Sequence, residues 1–99
     1  MKFLIKESSL NKLIDFYLDS LRIKSYIHHD EIFVNDKSDE YRGLFYYEYS
    51  ENELSIEPFL ISTVSSLFNM DRGQAMEGIA IWFENKFDVV VLSAREWDW

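Results

Sequence analysis

The chain has 99 residues, of which 47% are hydrophobic and 17% aromatic, enough for one core and one domain spanning 1–99 and too apolar for disorder. It has no cysteine, which excludes disulfides and thiolate metal sites, and no apolar run approaches the roughly 18 residues a membrane span needs. The net charge of −8 argues against direct binding of DNA or RNA, because a nucleic-acid binder gains its affinity by neutralising phosphates.

Residues 2–6 read as a short strand with Phe3 and Ile5 on one face and Leu4 on the other. The apolar stretch there is too short for a signal peptide, so a cytoplasmic protein is expected. Ser8 or Ser9 is placed to cap a helix whose stripe is Leu10, Leu13, Ile14, Tyr17 and Leu21, widened by Phe16 and Leu18, with Asn11, Lys12, Asp15, Asp19 and Arg22 mainly on the other side. From residue 25 to 35 the pattern turns extended around a polar knot, His28-His29-Asp30-Glu31. The knot is compatible with one strand or with a hairpin; residues 31–35 are the firmer strand.

Residues 35–40 form a polar loop, and residues 41–49 are the clearest strand, with Phe45, Tyr47 and Tyr49 on one face and Leu44, Tyr46 and Glu48 on the other. A turn over residues 50–53 leads into a returning strand, in which Leu54 and Ile56 alternate with Ser55 and Glu57. Pro58 suits the first turn of a helix whose apolar face is Leu60, Val64, Leu67 and Phe68.

The organising stretch begins at Asp71. Asp71 and Gln74 make a capping-box pattern, and Met76, Ile79, Ala80, Phe83 and Phe87 follow at helical spacing, with Ile81 and Trp82 widening the stripe. Gly78 inside this helix, at a cost of about 1 kcal/mol relative to alanine, predicts a close contact with another element. Residues 88–92 contain three valines and a leucine in succession, which predicts an interior strand, and Arg95, Trp97 and Trp99 then alternate with Glu96 and Asp98 as its extension. The expected fold is therefore α+β, in the order β-α-β-β-β-α-α-β: a small antiparallel-rich sheet of about four to five strands with helices packed on one face.

The charge is concentrated. Nine acids fall between residues 30 and 57 against only Lys37 and Arg42, a local net of −7. Glu48, Glu53, Ser55 and Glu57 are expected on one outer face of a hairpin, with Asp36, Asp39, Glu40 and Glu51 at its ends and tyrosines interleaved. Carboxylates steer a basic partner, and tyrosine and tryptophan are the usual anchors of an interface. The candidate partner-binding residues are thus Asp39, Glu40, Tyr46, Glu48, Glu51, Glu53, Glu57, Trp97 and Trp99.

Catalytic signals are missing. With three glycines there is no phosphate-binding loop, and the serines have neither a nucleophile-elbow pattern nor an evident base. His28-His29-Asp30-Glu31 has metal-ligand chemistry, but neighbours on a strand point to opposite faces and no third ligand is evident. No cofactor, metal or catalytic residue is expected. In size and charge the chain resembles the small acidic inhibitors that bacteria and phages use against nucleases and other basic enzymes. That resemblance implies a non-catalytic module, immunity-type or anti-defence, that binds a basic protein. A homo-oligomer assembled through the tail, in its simplest form a homodimer, is the alternative, and a small hydrolase stands behind both.

Overall fold

The computed structural model describes residues 7–98, leaving aside the side chains of residues 7–9 and 40. In chain order it contains α1 (Glu7–Asp19), β1 (Ile23–Ile27), β2 (Glu31–Asp36), β3 (Asp39–Glu48), β4 (Glu53–Ile56), α2 (Pro58–Leu67), α3 (Arg72–Phe87) and β5 (Ser93–Glu96). The expected strand over residues 2–6 lies outside the described residues. Ser8 and Ser9, expected as caps, are already within α1.

The chain is α+β. Its five described strands lie in the order β1-β2-β3-β4-β5, so β1 to β4 form a meander and the crossover through α2 and α3 adds β5 alongside β4. The first three pairings are antiparallel and the last is parallel, which makes the sheet mixed. The polar knot is a hairpin turn: His28, His29 and Asp30 join β1 to β2, which Glu31 begins, and the His28 N–H donates to the Glu31 carbonyl at 2.9 Å.

Alternation along the strands sends Ile32, Val34, Phe45, Tyr47, Leu54 and Ile56 to one face, where α1, α2 and α3 cover them completely. Leu44 departs from the expected alternation. Val34 is opposite Phe45 while Asn35 is opposite Gly43, so Leu44 is the extra residue of a bulge. The bulge turns Leu44 and Phe45 both into the core, and Leu44 is 3% exposed rather than outward-facing.

Helix α3 holds the helical layer together, packing on both α1 and α2. Its start follows from the capping box. Asp71 Oδ1 accepts from the Gln74 N–H at 2.8 Å, and Gln74 Oε1 accepts from the Asp71 N–H at 3.1 Å. Gly78 is buried against α1, and a Cβ there would lie 2.5 Å from Ile14 Cδ1. One turn further on, the Trp82 indole donates to Asp19 at 2.9 Å. In α2, Leu60, Ile61 and Val64 are buried, while Leu67 is 55% exposed and so lies off the face expected for it.

Residues 88–92 are not a strand. Asp88 ends α3 in the left-handed region at φ 55°, and the Glu84 side chain accepts from the Val91 N–H at 2.8 Å. The Val90 carbonyl is taken by the Tyr47 hydroxyl at 2.6 Å and by Asn52 Nδ2 at 3.3 Å, and the Asn52 carbonyl accepts from the Leu92 N–H at 2.8 Å. These bonds satisfy the backbone that a strand neighbour would otherwise satisfy. Val89 and Val91 pack against the core, but Val90 and Leu92 face water. The strand that follows is at the sheet's edge, not its centre.

Candidate functional site

None of the described helices covers the opposite face of the sheet. Register places Tyr26, Phe33, Tyr46, Ser55 and Arg95 abreast across all five strands. A second row, one step along, is Glu31, Glu48, Glu53 and Ser93. The face therefore has an aromatic row beside an acidic one.

The aromatic row is continuous. Phe33 and Tyr46 have ring centroids 4.9 Å apart, His28 meets Phe33 edge-on at 6.3 Å, and Trp97 stacks on Tyr46 at 5.8 Å with 22° between planes. Trp97 comes from beyond β5 and Tyr46 from β3, so the two rings meet above β4. They reach each other because β4 puts a small residue there: Ser55 is only 2% exposed although it is on the outer face. The Trp97 N–H donating to the Ile56 carbonyl at 2.8 Å fixes the chain for this contact.

The acidic row sets three carboxylates directly opposite one another on adjacent strands, an arrangement that costs stability. Two of the three have compensation. Glu31 accepts a hydrogen bond from the Tyr46 hydroxyl, which pushes the Tyr46 phenol up to about 12. Glu53 pairs with Arg95 at 3.3 Å across the parallel β4–β5 junction. Glu48, between them, has no cation opposite it among the described residues. This leaves negative charge held next to a rigid aromatic platform.

The structure divides the expected binding set. Tyr46, Glu48, Glu53 and Trp97 share this face, and Glu51 is exposed in the turn between β3 and β4 next to it. Asp39 stands at the far end of β3 from Glu48, nine residues away and thus roughly 30 Å. There its carboxylate accepts from the Tyr41 N–H at 3.2 Å. Glu40 is the next residue of the same strand, with its side chain outside the description, and Trp99 is outside the described residues altogether.

Glu57 is not part of the outer face. Its carboxylate accepts from Arg42 Nε and Nη2, each at 2.8 Å, beside Phe59, as a bidentate pair that locks β3 to the start of α2. Glu31 and Phe33 were not singled out from the sequence, although the alternation of residues 31–35 already put them on one face.

Among the described residues no three His, Asp or Glu side chains converge to hold a metal ion, and no helix is long and apolar enough to cross a membrane. Compared with protein-family models, with curated proteins and with solved structures, the chain matches none.

Proposed function

We propose that the chain is a non-catalytic module whose helix-free face binds a basic protein. The observation that carries this reading is the pairing of rows: Glu31, Glu48 and Glu53 abreast, next to Phe33, Tyr46 and Trp97 in ring contact. Folding alone gains nothing from three opposed carboxylates. A partner with lysines or arginines relieves that repulsion on docking, and the aromatic row offers it a preformed anchor at little entropic cost. In its most concrete form the module is an inhibitor, immunity-type or anti-defence, that covers the basic site of a nucleic-acid-handling protein.

Affinity capture from the native host, followed by mass spectrometry and a salt series, tests this. A basic protein should be retained at low ionic strength and released as salt rises. Glu48→Lys and Trp97→Ala should each abolish retention, and Glu48→Lys should also raise stability by about 0.2–1 kcal/mol by removing the like-charge opposition. Retention that ignores salt and both substitutions rules the reading out.

A further inference from the structure

We infer that a second copy of this chain pairs with the open edge of β1, joining two sheets into one across a two-fold axis. The inference is independent of the partner reading above, because the aromatic and acidic rows stay open on both copies.

The backbone of β1 provides the donors and acceptors. At its two ends the Lys37 N–H donates to the Arg22 carbonyl and the His28 N–H to the Glu31 carbonyl, each at 2.9 Å. In an antiparallel ladder such positions alternate, so the even-numbered residues of β1 bond β2. Ile23, Ser25 and Ile27 then turn their N–H and carbonyl groups away from β2, and no described strand meets them.

This edge is lightly guarded, with Lys24 the one charge among its five residues. Edge strands are protected by charges, proline or bulges. The β5 edge follows that rule, with Arg95 and Glu96 in four residues and ion pairs to Glu53 and Arg72. β1 reads Ile-Lys-Ser-Tyr-Ile, with one lysine and no acid in a chain that has 18. Ile27 is 66% exposed and Tyr26 37%.

The occupant follows from self-complementarity. The outward set is symmetric about Ser25, so an antiparallel copy sets Ile23 of each chain against Ile27 of the other and Ser25 against Ser25. Charge favours the same arrangement. Arg22 and Lys24 lie towards one end of the strand and Asp30 and Glu31 beyond the other, so antiparallel pairing brings unlike ends together.

The helical layer also carries exposed apolar residues. Helix α1 leads through residues 20–22 into β1 and packs on α3, which packs against β5. On α1 Ile14 meets Gly78 and Asp19 meets Trp82, which leaves Leu13 (47% exposed) and Phe16 (78%) on the flank turned away from α3. Pairing at β1 sets Ile27 of each copy against Ile23 of the other as an apolar seam, and Leu13 and Phe16 add exposed apolar surface on the helix that leads into β1.

Light scattering of the full chain at about 10 and 500 μM should give twice the chain mass at the higher concentration. Ser25→Pro removes an N–H that β2 does not use, and Ile27→Lys places a charge in the seam. Each should weaken association at least about tenfold with the circular dichroism spectrum unchanged, and Ile27→Lys decides alone if Ser25→Pro fails to fold. In the unsubstituted chain the amides of Ile23, Ser25 and Ile27 should exchange at least about tenfold more slowly at the higher concentration. A monomer at both concentrations overturns the inference, whatever then covers β1. So does a dimer that both substitutions leave intact, since its interface is elsewhere.

Discussion

Gly78 and Ile14 make a contact whose energy can be isolated by a two-residue cycle. A methyl group added at Gly78 would stand 2.5 Å from Ile14 Cδ1, but 3.8 Å from Ile14 Cγ1 and 3.6 Å from Asn11 Oδ1. Only Cδ1 is in the way. In the native chain Gly78→Ala gains about 1 kcal/mol of helix propensity and loses about 0.5–1.5 kcal/mol by forcing the buried isoleucine off its rotamer. The net change should therefore lie within about 0.5 kcal/mol of zero. Ile14→Val removes Cδ1 and by itself costs about 0.5–1.5 kcal/mol. In that background the new methyl meets Cγ1 at ordinary contact distance, so Gly78→Ala should stabilise by the full value of about 1 kcal/mol. Urea unfolding followed by circular dichroism gives all four stabilities. Gly78→Leu, whose extra carbons have no comparable space, should cost about 1–3 kcal/mol in either background. Equal effects of Gly78→Ala in both backgrounds would refute the close approach of α1 and α3.

Three other sites give sharp expectations. Burial raises the Asp15 carboxyl above its ordinary 3.8, and Asp19 adds to this; Asp15 Oδ1 is also buried without a hydrogen-bond partner. The fold thus holds this proton more tightly than the unfolded chain does. Asp15 favours folding below pH 3.8 and costs stability as pH rises through the raised value, so Asp15→Asn should raise Tm at pH 7 with a gain that fades in acid. The Tyr46 phenol, ordinarily at 10.0 and pushed to about 12, contributes stability that is complete below pH 10.0 and lost as pH rises through 12. Absorbance titration at alkaline pH should show a late phase that moves earlier in Glu31→Ala. Asn52→Ala removes the bonds to the Tyr47 hydroxyl and the Val90 carbonyl at a position with φ 48°, and should cost about 1–3 kcal/mol. Asn52→Gly should cost less, since glycine adopts that φ freely.

What could be read from the sequence is what depends on near neighbours in the chain. The capping box of Asp71 and Gln74, the Pro58 start of α2 and the alternation of Tyr46 to Glu48 with Leu54 to Ile56 all act within a few residues. The errors come from contacts made at long range. Residues 88–92 have strand composition, but Tyr47 and Asn52, about 40 positions away, take the Val90 carbonyl and hold the segment as a loop. Leu44 is inside because of a bulge that depends on how β2 aligns with β3. Glu57 belongs to Arg42, fifteen residues earlier, and no local pattern announces that pair. The acidic row was half visible, because Glu48 and Glu53 flank a short turn, while Glu31 required the strand register to place it.

The connectivity of the sheet also orders its assembly in time. Every pairing from β1 to β4 closes through a short turn, the kind of step that takes microseconds. β5 must wait until α2 and α3 have brought residue 93 back to residue 53, a closure with a much larger entropic toll before any contact repays it. Trp82 and Trp97 divide along that boundary: one indole is sealed between the helices and the sheet, the other settles over β4 only once β5 has docked. With Trp99 replaced by phenylalanine, their fluorescence makes two clocks in one chain, the first reporting the core and the second its closing strand.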